Sequence, residues 1–140
     1  MNILRLNLPA PIHYRLLKGS DPFDYRDENG EMLFCFELDE LQRLSFEPDP
    51  QTLLGILVFG GKALKDVPEE SKTELFELPG GNYVFAQKRE LLNRDEIMTM
   101  TVEIQKEVLW QRLKPGERLY LRYLFEDDSV VTQLYRPYTN

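Results

Sequence analysis

The chain has 140 residues, of which 42% are hydrophobic and 29% charged, and this balance is typical of one globular domain with a hydrophobic core. The formal net charge is −7, from 24 acidic and 17 basic side chains. Nucleic acids and anionic membrane surfaces bind dense cationic faces, and no such block occurs here, so we expect neither partner. There is no apolar signal core and no run near the roughly 18 apolar residues of a membrane span. We therefore expect a cytoplasmic protein.

The first third of the chain alternates short apolar stretches with turn residues. Residues 3–8 and 12–17 are apolar, and Pro9-Ala10-Pro11 between them predicts a bend or bulge, because proline fixes its own backbone and restricts the residue before it. Residues 19–31 are acidic and rich in turn residues, which predicts an exposed loop.

The next segment allows two interpretations. Met32 to Leu38 has the composition of a buried strand, whereas leucines at three-residue spacing favour a helix from Glu37 to Leu44. After it, Leu53 to Phe59 predicts a strand, Gly60-Gly61 a tight turn, and Lys62 to Leu64 the start of a returning strand.

The second half has clearer signals for strands. Thr73 to Leu78 and Asn82 to Gln87 flank Pro79-Gly80-Gly81, which predicts two strands that meet at a bulged turn. Leu119 to Phe125 and Val130 to Tyr135 are separated by acidic turn residues and predict a hairpin.

A helix is predicted between these two pairs of strands. Asn93 followed three residues later by Glu96 forms a capping-box pattern. Apolar residues then recur at helical spacing through Val108, and Pro115-Gly116 ends the pattern.

Two segments of the chain resemble each other. Leu6 to Lys18 aligns without a gap with Phe76 to Lys88, and each copy is followed by a helical pattern and an apolar run. With residues 65–72 as a charged linker, we expect one domain over 1–140, built of halves about 1–66 and 71–140. The predicted fold class is α+β, with two strand-helix-strand-strand repeats in pseudo-twofold symmetry and helices on one face of an antiparallel sheet.

No residue pattern in the chain indicates catalysis. His13 is the only histidine and Cys35 the only cysteine, which is too few for a zinc site and leaves no disulfide. The glycine pairs do not have the spacing of a phosphate-binding loop. We therefore predict no catalytic residue, no metal and no cofactor.

Aromatic residues are the strongest functional signal, with 7 Tyr, 8 Phe and 1 Trp. Alternation over residues 119–126 places Tyr120 and Arg122 on one face and Leu121 on the other. The aromatics form either a plain core or the walls of a small-molecule pocket. The predicted pocket consists of four aromatic residues and one polar anchor: Tyr83, Phe85, Trp110, Tyr123 and Glu107.

The segment from Phe76 to Phe85, with Leu78-Pro79, Gly81 and Tyr83, resembles a hallmark of the GyrI-like small-molecule-binding domains, relatives in fold of the SOUL haem-binding family. The closing segments 119–124 and 134–137 resemble the final hairpin of that family. The resemblance implies two strand-helix-strand-strand repeats with a ligand cleft between them. Leu121 stands where the family often has a cleft glutamate, which is a departure for cationic ligands.

These observations favour a non-enzymatic module that binds a small molecule in a central aromatic cleft. The alternative is a protein-interaction or inhibitor module whose acidic surface binds a protein partner, as the net charge of −7 allows.

Overall fold

The computed structural model describes residues 2–16, 22–23, 30–39, 56–63, 74–126 and 129–139. These described residues form nine strands and one helix. In chain order the elements are β1 Ile3–Leu8, β2 Ile12–Leu16, β3 Gly30–Glu37, β4 Ile56–Ala63, β5 Leu75–Leu78, β6 Gly81–Lys88, α1 Arg94–Trp110, β7 Lys114–Pro115, β8 Arg118–Glu126 and β9 Ser129–Thr139. No helix among them is long and apolar enough to cross a membrane.

The strands form one curled antiparallel sheet with the order β1-β6-β9-β8-β3-β4-β2-β5, and β7 pairs with the outer part of β9. The sheet has the form of a half-barrel. Strands β1 and β6 lie at one edge of the sheet, and β2 and β5 lie at the other. Because β1 leads into β2 and β5 leads into β6, the chain connects the two edges directly. The curl gives the sheet a concave and a convex face.

The two similar segments of the sequence pair with each other. Leu8 lies opposite Gly81 and Ile12 opposite Leu78, so β1–β2 and β6–β5 form one two-stranded antiparallel ribbon. Between these pairs residues 9–11 lie opposite residues 79–80, which leaves one extra residue on the proline side. An extra residue on one of two paired strands is a β-bulge, and it bends the ribbon. The bend predicted at Pro9-Ala10-Pro11 is confirmed.

Each central strand is covered on both faces, because its side chains alternate between two clusters. The concave cluster is mainly aromatic: Tyr14, Leu33, Cys35, Ala63, Leu78, Tyr83, Phe85, Tyr120 and Tyr135. The convex cluster lies under α1 and includes Met32, Phe34, Phe36, Val84, Ala86, Leu119, Leu121, Tyr123 and Leu134.

The helix begins where the sequence predicts, but it ends at Trp110, before the predicted stop at Pro115-Gly116. The Asn93 side chain accepts a hydrogen bond from the Glu96 amide at 2.9 Å, and the Glu96 carboxylate accepts one from the Asn93 amide at 3.3 Å, which completes the capping box. The chain leaves the helix through Arg112, whose φ is 59°. The hairpin formed by β8 and β9 also confirms the prediction.

The predicted α+β fold of two repeats, each with its own helix packed on the sheet, is wrong. Strand makes up 61% of the described residues, and the second-half helix α1 is their one helix. The interpretation of Met32 to Leu38 as a buried strand is confirmed, because β3 is Gly30–Glu37 and every residue from Met32 to Phe36 is buried. One face of β3 packs in the concave cluster and the other beneath α1, and a strand covered on both faces has no polar alternation.

The predicted tight turn at Gly60-Gly61 is also wrong, because β4 continues through both glycines. A side chain at Gly61 would lie 2.0 Å from the Arg15 carbonyl oxygen and 2.5 Å from a ring atom of Phe76. Glycine is therefore present because two strands approach each other closely here, and no chain reversal is involved.

Three further predictions fall wholly or mostly outside the described residues. They are the acidic loop over 19–31, the alternative helix from Glu37 to Leu44, and the linker over 65–72. At their described margins, β3 already begins at Gly30 and still includes Glu37.

The packing of α1 leads to a prediction about stability. Ile104 is fully buried against the sheet, whereas Trp110 on the same helix is 79% exposed. We expect Ile104→Ala to lower the free energy of unfolding by about 3 kcal/mol, since a cavity remains where the side chain packed. Trp110→Ala is the matched control and should change it by less than about 0.5 kcal/mol. Urea denaturation followed by circular dichroism measures both, and equal effects would contradict this packing.

Candidate functional site

Every second side chain of β8 points to the concave face of the sheet. Arg118, Tyr120 and Arg122 point into the curl, while Leu119 and Leu121 face the helix. Two of the inward residues are arginines, and Tyr120 separates them. The concave face is therefore aromatic in its middle and carries a cationic group towards either end.

The middle of the concave face consists of interlocking rings. Tyr83 meets Tyr135 and Tyr120 edge to face, with centroids 5.5 Å and 6.3 Å apart. Phe85 lies 4.9 Å from the Tyr135 ring. Edge-to-face pairs of this kind hold aromatic side chains in fixed orientations. This aromatic layer separates the two polar ends.

A cleft of about 520 Å³ opens at the end of the concave face that contains Arg118. It lies between the β5–β6 bend, the start of β8 and the end of β9. Its lining combines tyrosine rings, glycine backbone and one arginine: Pro79, Gly80, Gly81, Asn82, Tyr83, Glu117, Arg118, Tyr120, Pro137, Tyr138 and Thr139. Gly81 has φ of +141°, and a side chain there would meet no atom within 4 Å, so the backbone at this bend is open to the cleft.

Arg118 and Tyr120 line the cleft, and the buried Cys35 lies behind Tyr120. Tyr120 lies opposite Cys35 in the pairing of β3 and β8, and the Arg118 guanidinium lies 5.7 Å above the Phe59 ring. Burial raises the pKa of Tyr120 to about 12 and that of the Cys35 thiol to about 11. Both groups therefore stay protonated near neutral pH, and the charged side chains that line the cleft are Arg118 and Glu117.

The other end of the concave face holds an ion pair. The Arg122 Nη2 donates to Glu31 Oε2 at 2.8 Å, with side-chain exposures of 13% and 16%. The Tyr14 hydroxyl also donates to Glu31 Oε2, at 3.3 Å, and Arg122 Nη1 donates to the Tyr135 hydroxyl at 3.0 Å. These groups come from β2, β3, β8 and β9, so four strands supply one polar cluster.

This polar cluster continues along the sheet through two glutamines. The Tyr135 hydroxyl donates to Gln133 Oε1 at 2.7 Å, and Gln133 Nε2 donates to Gln87 Oε1 at 2.9 Å. Burial lowers the pKa of Arg122, but Tyr14, Tyr135 and Glu31 together outweigh burial and leave this pKa above its ordinary value. Arg122 is therefore charged at any physiological pH. We call Arg122, Glu31, Tyr14, Tyr135, Gln133 and Gln87 the Arg122 cluster.

The residues of the predicted pocket lie in different parts of the fold. Tyr83 lines the cleft, and Phe85 packs beside it in the concave cluster. Tyr123 is on the convex face, where its hydroxyl donates to the Pro22 carbonyl at 2.8 Å. Trp110 is exposed at the end of α1, and Glu107 accepts a hydrogen bond from the Gln111 side chain. The structure brings together the first two residues only.

Arg118 and the Arg122 cluster were missed when the pocket was predicted. The alternation over residues 119–126 correctly placed Tyr120 and Arg122 on one face. That signal was sufficient to mark Arg122 as an inward arginine. It could not show that the side chain of Glu31, which is distant in sequence, reaches Arg122 from the neighbouring strand β3.

Metal binding has no candidate among the residues that the structure describes, since no three His, Cys, Asp or Glu side chains cluster there. His13 Nε2 lies 3.3 Å from Glu77 Oε2 on the outer side of the ribbon, where both side chains are about half exposed. This pair forms a surface contact between β2 and β5.

Comparisons with known proteins give no identification. No protein-family model matches the chain, and no curated protein matches it. Nothing in these comparisons identifies a GyrI-like domain.

Proposed function

We propose that this protein binds a small organic anion with a flat, apolar body in the cleft beside Arg118. The observation that carries the proposal is the combination, in one cleft of about 520 Å³, of tyrosine rings and a single arginine. Small-molecule sites usually have volumes of roughly 300–1,000 Å³ and combine apolar walls with a few polar groups.

The chemistry of the lining selects the ligand class. The rings of Tyr83, Tyr120 and Tyr138 provide surfaces against which a flat apolar group can pack. Arg118 offers the planar, bidentate donor geometry that suits a carboxylate. Glu117 lies at the same cleft and disfavours a ligand with several negative charges. A monocarboxylate with an aromatic body fits this lining.

The first test is an NMR titration with benzoate, using benzyl alcohol as the neutral probe of similar shape. We expect benzoate to shift the amide signals of Gly80, Gly81 and Asn82, and Arg118→Gln to weaken its affinity about tenfold, the value of one charged hydrogen bond. Arg118 is exposed, so the variant should remain folded.

Arg89→Gln is the matched control, because Arg89 is also exposed and does not line the cleft. It should leave the benzoate affinity unchanged. Equal binding of benzoate and benzyl alcohol, or equal effects of the two arginine substitutions, would refute the proposal.

A second candidate function is binding of a basic protein partner, and it is favoured by Trp110, which is 79% exposed. The exposed face of α1 also carries Asp95, Glu96 and Glu103. Exposed tryptophan is a frequent anchor in protein interfaces, and it stacks with arginine.

Trp110 is the only tryptophan of the chain, so its fluorescence reports this surface directly. A saturable change on addition of a hexa-arginine peptide, reduced by Glu103→Gln, would support the second candidate. A signal unchanged by the peptide would exclude it.

A further inference from the structure

We propose that the Arg122 cluster is a second carboxylate site, which Glu31 occupies in the free protein. A small carboxylate would take the place of the Glu31 side chain on Arg122 and on the Tyr14 hydroxyl. This site is independent of the cleft at Arg118 and does not depend on the function proposed for that cleft.

The hydrogen bonds of Arg122 leave room for another acceptor. Nη2 and Nη1 donate to Glu31 and Tyr135, and Nη1 also lies 3.4 Å from Gln133 Oε1. Nε is buried and has no hydrogen-bond partner among the described residues. A buried donor without an acceptor is unfavourable, because it has lost the hydrogen bonds that it makes with water in the unfolded chain. A carboxylate that binds through Nε and Nη2 would satisfy it and make the bidentate contact that arginine favours.

The composition of this end of the sheet points to binding more than to packing. A buried ion pair seldom stabilises a fold more than apolar residues of the same volume would. The neighbouring concave layer consists of tightly packed aromatic rings. The Arg122 guanidinium, the two glutamine amides and the hydroxyls that Tyr14 and Tyr135 carry at the edge of that layer therefore have no packing role that hydrophobic residues could not fill.

Glu31 is well placed to exchange with a ligand. It is the second residue of β3 and follows Gly30, whose φ of 97° is reached easily only by glycine. Its side chain is 16% exposed, so the carboxylate lies at the boundary of the solvent. An incoming carboxylate would accept the hydrogen bonds that Glu31 now accepts from Arg122 and Tyr14, and the charge of the cluster would not change.

The two arginine sites are far enough apart to be tested separately. Arg118 and Arg122 are four positions apart on β8, which corresponds to roughly 14 Å at the rise of an antiparallel strand. The aromatic layer of Tyr120, Tyr83 and Tyr135 lies between them. A ligand at one site therefore does not touch the other arginine.

The experiment uses acetate as the probe and the Nε–Hε signal of Arg122 as the readout. We expect Glu31→Gln to strengthen acetate binding at Arg122 at least about tenfold relative to the unaltered protein, because it removes the competing carboxylate. In the Glu31→Gln background, Arg122→Gln should abolish acetate binding, followed in this variant by the backbone amide signal of residue 122, and Arg118→Gln should leave the binding unchanged.

Glu31→Asp is the second variant, in case Glu31→Gln fails to fold. Its shorter side chain keeps the charge but reaches Arg122 less well, so acetate affinity should lie above that of the unaltered protein. The proposal is overturned if the Arg122 signal does not move in any folded Glu31 variant, or if it moves equally with and without the Glu31 carboxylate.

Discussion

Replacing Gly61 with alanine is expected to lower the free energy of unfolding by about 3 kcal/mol or more, because overpacking and broken strand pairing add together. The new Cβ would lie 2.0 Å from the Arg15 carbonyl oxygen and 2.5 Å from the Phe76 ring. A backbone oxygen cannot rotate away as a side chain can. Relief therefore requires β2 to move from β4, where Leu16 lies opposite Gly61.

Gly80→Ala is the matched control for this substitution. A Cβ at Gly80 would lie 3.2 Å from the Leu8 carbonyl oxygen, so a shift of a few tenths of an ångström suffices. We expect a loss below about 1 kcal/mol, as for most substitutions without a severe clash. Urea denaturation of both variants measures the difference. Equal losses would mean that β2, β4 and β5 are not as close as described.

Stability is expected to fall steeply in alkaline solution because several buried acidic groups are held protonated. Burial raises the pKa of Tyr14 and Tyr83 well above the usual value of 10.0, that of Tyr120 to about 12, and that of Cys35 from 9.0 to about 11. The unfolded chain releases these protons at lower pH than the folded protein does. Stability is therefore full below about pH 9 and is lost as the pH rises towards 12.

A shift of one pKa unit corresponds to about 1.4 kcal/mol in the free energy of unfolding. Ionisation of these groups together should therefore lower that free energy by several kcal/mol. Urea denaturation at successive pH values from 8 to 11 measures the fall, and absorbance at 295 nm follows tyrosine ionisation. Tyr120→Phe should flatten the profile above pH 10, and Cys35→Ala should flatten it between pH 9 and 11. A profile that neither variant changes would contradict the burial of these groups.

Local signals in the sequence predicted local structure well. The capping box at Asn93 and Glu96 needs only residues three positions apart, and the helix begins there. The bend at Pro9-Ala10-Pro11 follows from proline geometry alone. The predicted turn at Gly60-Gly61 was wrong for the opposite reason. Glycine is required at position 61 by the Arg15 carbonyl, which lies on a strand distant in sequence, and no pattern within β4 indicates that contact.

For the candidate site, the sequence predicted only the face of the sheet on which its residues lie. Alternation identified the side of β8 on which Tyr120 and Arg122 lie, because a strand has a period of two. It did not reveal that Tyr123 packs on the opposite face from Tyr83, since the relative register of β6 and β8 is set through β9 between them. Trp110 also looked like a cleft residue, whereas the helix ends with this side chain in solvent.

The pairing of the two similar segments has a consequence for how the chain folds during synthesis. The single partner of β1 among the described strands is β6, and Ile3 lies opposite Ala86. At a synthesis rate of roughly 5–20 residues per second, several seconds pass between the synthesis of β1 and that of its partner β6. Closing so long a loop is also slow in refolding. When the whole chain refolds, the ribbon is therefore expected to form after the β8–β9 hairpin and the helix, whose contacts are nearby in the chain.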